Sequence, residues 1–257
     1  MTRTLTRTHL HTSKLIRVLT DLDLMEVAAP GHSFAEDLSL WVDLNHAITL
    51  RTLHNAGALS AVGPAVAPSV SQPVTRGAAL DDEYARVRDS FLNAMDKNGA
   101  ASVARAQTEG HRPQGGEPLD ITIAYEPYRR YCVAQQRDMG LSVRQLRIHA
   151  RGVLAKASPA LKTLADLDAA FDGVLSEREG KLLATVPRLL EQRFAQLYQN
   201  HQQGLTDVQQ EDNSAVWMKP GAWLARFCQE LQAVLVAELD VRLQPTRGLI
   251  EALDKKN

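Results

Sequence analysis

The residues of this chain best suited to chemistry are arginines set at a fixed interval. Arg130, Arg137, Arg144 and Arg151 recur every seven residues, and Arg129 and Arg147 lie beside that line. Seven helical residues turn through about 700°, so these four side chains drift by only about 20° per step and form a ladder on one helix face. From Arg129 to Lys156 there are seven cations and one acid, Asp138. Guanidinium forks match phosphate and carboxylate oxygens, which makes Arg130, Arg137, Arg144, Arg147 and Arg151 a candidate surface for an anionic partner. Tyr125, Tyr128 and Tyr131 sit at the start of the same stretch, and aromatic rings so placed could stack on bases. A second reading needs no partner. The following segment carries Asp166, Asp168, Asp172, Glu177 and Glu179 with only Arg178 and Lys181 among them. If the chain folds back at Ser158-Pro159, basic and acidic faces meet as flanking pairs of an antiparallel helical hairpin. A neutral chain total favours this reading over phosphate binding.

The other reactive side chains assemble less well. His9 and His11 have metal-chelating spacing without a nearby Cys, Asp or Glu. Asp43, His46 and His54 are spaced by whole helical turns, yet no helix supplies the Glu-x-x-His unit of a bundle metal site. The acids of Asp81-Asp82-Glu83 suit a helix N-terminus, where negative charge complements the dipole. Asp166/Asp168 and Glu177/Glu179 bring no companion base. Gly115-Gly116 lacks the Lys and Ser/Thr of a phosphate loop, and no nucleophile elbow, kinase or zincin signature is present. The expectation is therefore no catalytic residue, no metal and no cofactor. Cys132 and Cys228 are too few and too far apart for a disulfide framework. They read as buried thiols in a reducing compartment.

The elements that would carry these residues read as helices throughout. Leu15, Ile16, Leu19 and Leu22 predict a helix over about 12–25. Ser33 and Glu36 form a capping box for a second, running to about Asn55 through Phe34, Leu38, Trp41, Leu44 and Ile48. Repeated prolines (Pro64, Pro68, Pro73) argue for an extended linker over 57–79. Asp81 is placed to cap a helix through Tyr84, Val87, Phe91 and Met95, and Gly110 to Pro118 predicts an exposed loop over 107–120. Pro127 suits the first turn of a helix reaching about Ala157. Ser158-Pro159 restarts the chain as N-cap and first helical residue. A long helix follows, kinked at Pro187. A last one, from about Pro220, is expected to end at Pro245.

Hairpin signals and β-branched alternation are missing, so the fold class is all-α. Long antiparallel helices form a bundle over 80–257, after an N-terminal helical hairpin over 1–56 and the Pro-rich linker over 57–79. Lys and Arg total 29 against 30 for Asp and Glu, a net charge of −1, which points to neither nucleic acid nor membrane. No apolar run approaches the roughly 20 residues that span a bilayer. The Thr- and Arg-rich start lacks the apolar core of a secretory signal, although it holds no acid before Asp21 and in that respect is similar to a transit peptide. The expected location is the cytoplasm.

Several of these blocks resemble an uncharacterised proteobacterial family, the domain of unknown function 3348. They are Ser33-Phe34-Ala35-Glu36 with Leu38-Ser39 and Trp41, Tyr128-Arg129-Arg130-Tyr131, Ala157-Ser158-Pro159 with Leu161, Leu164 and Leu167-Asp168, and Glu177-Arg178-Glu179 to Leu190-Glu191. Capping, packing and charge residues carry the resemblance, so it implies kinship and transfers no activity. It also implies a cytoplasmic accessory of an envelope assembly of the ion-driven motor or OmpA type. The leading functional expectation is a non-catalytic helical protein that binds a protein partner through its long-helix half. The alternative is a nucleic-acid-binding or regulatory protein using the Arg ladder. Gln135 and Ala150 leave core positions thinly filled, so pairing with a second copy stays open.

Overall fold

The computed structural model describes residues 13–24, 51–52, 73–110, 119–207 and 212–255. The fold is all-α: no strand occurs among the described residues. In chain order the helices are α1 (Lys14–Asp21), α2 (Pro73–Asn98), α3 (Ala100–Gly110), α4 (Ile121–Ala157), α5 (Pro159–Leu183), α6 (Val186–Asp207) and α7 (Trp223–Asp254), with a short 3₁₀ turn at Ser214–Val216 before α7. The second helix expected near the N-terminus lies outside the described residues, apart from Arg51 and Thr52, which are helical.

Two compact units divide the chain. One takes Met1–Ala28, Ala94–Gln136 and Val186–Val241; the other takes Ala29–Asn93, Arg137–Thr185 and Arg242–Asn257. The division expected from the sequence, with boundaries at 56 and 79, does not follow these lines. Sequence punctuation marks where backbone regularity breaks, whereas the compact units follow contacts between segments distant in sequence.

In the first unit, aromatic rings hold α4, α6 and α7 together. Tyr125, Tyr128, Phe194 and Phe227 are each at most 1 % exposed. Their ring centroids lie 5.0–6.5 Å apart, and Phe194 also meets Trp223 edge-on at 5.2 Å. The Tyr125 hydroxyl donates to the Pro187 carbonyl at 2.6 Å. In the same unit α1 buries Leu15 and Leu19. It ends on paired backbone bonds, Asp23 N–H to Thr20 and Leu24 N–H to Leu19. These place Asp23 at φ 56°, a left-handed position that glycine usually fills. Between α2 and α3, Gly99 passes so close to the Met95 carbonyl that an added Cβ would collide with it.

In the second unit α4 and α5 form the expected hairpin. Ser158 is extended (φ −161°, ψ 159°), its Oγ accepts the Leu161 N–H, and Pro159 opens α5. Along α4, Met139, Val143, Leu146, Ala150 and Leu154 are buried, stepping by four, three, four and four along one stripe. Leu161, Ala165, Val174 and Leu183 are buried from α5.

The prolines behave differently from their sequence reading. Pro73 opens α2, so residues 73–79 are helical instead of linker; at the first helical position the missing N–H costs no bond. The remaining linker residues, 57–72, lie outside those described. Residues 107–110 continue α3, which shortens the expected loop at its start. At Pro187 there is no kink in one long helix: α5 ends, Ala184–Thr185 turn, and Pro187 falls in the first turn of α6. Pro127 and Pro245 lie inside α4 and α7, so neither starts nor ends its helix. Each interior proline costs on the order of 3 kcal/mol. Burial outweighs that cost, because Tyr125 and Tyr128 flank Pro127 and Leu243 and Leu249 flank Pro245 in the cores of their units.

Candidate interaction face

The ladder is real as a helical feature, and the fold splits it by role. In the first unit Arg130 turns back along its own helix to Glu126 at 3.0 Å, a carboxylate it shares with Arg129 at 2.6 Å. The two guanidinium hydrogen bonds, that of Arg129 first, lower the Glu126 pKa to about 2. Arg130 remains 76 % exposed.

In the second unit Arg147 and Arg151 turn inward to α5. Arg147 donates through Nε and Nη2 to Asp168 at 2.9 and 2.7 Å and through Nη1 to Asp172 at 2.8 Å. Arg151 repeats the pattern, through Nε to Asp168 at 2.6 Å and Nη2 to Asp172 at 2.9 Å. The two arginines are 14 % and 16 % exposed, and Asp168 13 %. Both aspartates therefore sit inside two guanidinium forks, a geometry stronger than single ion pairs. The remaining acids named from the sequence do otherwise. Asp166 bonds Lys162 at 2.8 Å and Glu177 bonds Lys181 at 2.6 Å, each within α5.

Arg137 and Arg144 point outward. Arg137 is 78 % exposed, with Asp138 at 3.6 Å. Arg144 is exposed and makes no ion pair or hydrogen bond among the described residues. The slow drift of a seven-residue repeat accounts for the split. Between Arg137 and Arg151 the line rotates by about 40°, enough to bring Arg151 to α5 while Arg137 and Arg144 stay on the solvent side. Leu141 and Ile148 interleave with them, each 57 % exposed. Arg137, Leu141, Arg144 and Ile148 thus alternate cation and hydrocarbon at steps of four, three and four. Sequence reading picked out the arginines and passed over the two apolar residues between them, although their spacing was visible.

One further residue pair escaped the sequence. His149 Nδ1 lies 2.6 Å from Glu83 Oε2 of α2. It borders a shallow groove of about 310 Å³ lined by Ala79, Leu80, His149, Val153 and Lys156. With the partners 66 positions apart, no local pattern could signal it.

Two expectations about chemistry change or sharpen. Tyr125 and Tyr128 cannot stack on bases, because both are enclosed in the aromatic cluster, and Tyr131 is half-buried. Cys132 and Cys228 are free and buried, and burial pushes both thiols up to about 12. Since the thiolate is the reactive form, neither should react with Ellman's reagent at pH 7 until denaturant is added. Stoichiometric labelling of the folded chain within minutes would contradict this. The histidines at 9, 11, 46 and 54 and Asp43 lie outside the described residues. Among the described residues, no three His, Cys, Asp or Glu side chains converge as a metal-ligand set, and no helix is long and apolar enough to cross a membrane.

The family described as "Protein of unknown function (DUF3348)" matches residues 1–255. No curated protein and no solved structure matches the chain.

Proposed function

The chain belongs to the DUF3348 family, and we propose that it is a non-catalytic cytoplasmic docking protein that binds a protein partner through the solvent face of α4. The observation that carries this reading is the exposure of Leu141 and Ile148 on the same face as Arg137 and Arg144, with which they alternate. An exposed leucine alone means little, since folded proteins leave much apolar surface in water. Two of them seven residues apart, framed by cations, match the composition of an interface core with a polar rim. The two thiols, free and buried, accord with a reducing compartment.

Phosphate tracking fits this face less well. A polyanion gains from an unbroken run of cations, and here hydrocarbon interrupts the run. The forks of Arg147 and Arg151 are already occupied by Asp168 and Asp172. Titrating a fluorescent DNA duplex and heparin against the protein at low and moderate salt separates the readings. The expected result is weak binding at low salt, gone at moderate salt. Tight, steeply salt-dependent binding that Arg137→Glu/Arg144→Glu removes, with helical circular dichroism intact, would overturn the protein-docking reading.

A further inference from the structure

We infer that the partner segment is an amphipathic α-helix with an acidic border, seated along Arg137, Leu141, Arg144 and Ile148; this rests on the docking reading above and names the class of partner. The helical form follows from spacing. Leu141 and Ile148 are two turns apart on one face, about 10.5 Å along the axis. Side chains seven residues apart on a straight helix are met in phase by another helix crossing at a shallow angle, whose own apolar residues recur at the same interval. A strand, with side chains alternating every residue, meets only one of the two well.

The acidic character follows from charge. Arg137 is 78 % exposed with a long contact to Asp138, and Arg144 has no counter-charge among the described residues. Carboxylates beside the partner's apolar seam would meet Arg137 and Arg144 at the same seven-residue interval. A second copy of this face supplies no carboxylate: paired in parallel it sets Arg137 and Arg144 against themselves, and paired antiparallel it sets each arginine against Leu141 or Ile148, so in neither orientation do the cations meet a counter-charge. Rim charges act mainly on association rate and partner choice, so the face would select its partner by sign of charge.

The test uses the full chain and two synthetic, lactam-locked fourteen-residue helices. Each carries two leucines seven apart; one borders them with glutamates and the other with lysines. In fluorescence anisotropy at low salt the acidic peptide is expected to bind at least tenfold tighter than the basic one. Arg137→Glu/Arg144→Glu should invert that preference, and Leu141→Ser/Ile148→Ser should weaken both peptides by about tenfold with helical content unchanged. Equal affinity for the two peptides, lost on the Leu141/Ile148 substitutions, would overturn the acidic-helix inference and leave docking on this face standing. Binding of either peptide that neither pair of substitutions alters would overturn the docking reading as well. Sedimentation of the unmodified chain supplies the last control. A dimer that Leu141→Ser/Ile148→Ser dissociates would make a second copy the occupant and overturn the inference.

Discussion

Replacing Asp168 and Asp172 together by alanine is expected to destabilise the protein by about 3–5 kcal/mol. The two aspartate carboxylates accept five hydrogen bonds from the Arg147 and Arg151 forks at 2.6–2.9 Å. Removing them leaves two guanidinium groups, 14 % and 16 % exposed, with their charge only partly hydrated. The cost is the desolvation of an uncompensated charge, which is why it exceeds the roughly 0–1 kcal/mol of an exposed pair. For a chain of this length each kcal/mol moves the midpoint by about 2–4 °C, so thermal denaturation should begin about 10 °C earlier. Two controls separate charge from packing. Arg144→Ala, on the solvent side of the same helix, should change stability by less than about 0.5 kcal/mol. Exchanging all four residues for apolar ones of similar volume should recover most of the loss, as replaced buried ion pairs commonly do. If the double alanine variant melts with the unmodified chain, the cluster holds nothing and the arginines must be reconsidered as a binding site.

That cluster also marks how far local sequence carries. The Ser158-Pro159 restart was legible because a cap acts within three residues: the hydroxyl that signals it is the atom that accepts the Leu161 N–H. Once the turn was placed, the basic face of α4 and the acidic face of α5 had to meet, and the charge pattern told which acids were available. It did not tell that Asp168 and Asp172, and not Asp166 or Glu177, would be the partners. That choice depends on which side of α5 is buried, which the intervening residues alone do not fix. The internal prolines misled for a related reason. Helix breaking is a local cost of a few kcal/mol, and the tyrosines around Pro127 recover it through contacts with Phe194 and Phe227, from segments 60 to 100 positions away. The same tyrosines looked like a stacking platform from the sequence, since periodicity shows that residues share a face and not what covers it.

Acid should weaken the first unit through Glu230, a residue that no sequence pattern singled out. Its carboxylate accepts Arg193 Nε and Nη2 at 2.7 and 2.8 Å and Arg226 Nε at 2.9 Å. The Glu230 and Arg193 side chains are 12 % and 8 % exposed. Burial alone would raise the Glu230 pKa; hydrogen bonds from Arg193 and Arg226 outweigh it and hold the carboxyl below its ordinary value of 4.5. A group whose pKa is depressed by folding contributes stability that is fully present above its unfolded pKa and is lost as pH falls through the folded one. The contribution should therefore be flat from pH 7 to about 5 and decline below about 4.5. Glu230→Gln keeps the shape and removes the charge opposite Arg193. At pH 7 it is expected to cost about 3 kcal/mol, the lower end for a broken buried pair, since Gln196 still accepts from Arg193 at 2.7 Å. The two proteins should converge as pH falls from 4.5 towards 3, because protonation deprives the unmodified chain of the same charge. Thermal melts of both across that range, read as their difference, cancel the titration of every other carboxylate. A difference that stays constant down to pH 3 would mean that Glu230 holds Arg193 by shape alone. A difference that vanishes at pH 7 would mean that the pair lends the first unit no net stability.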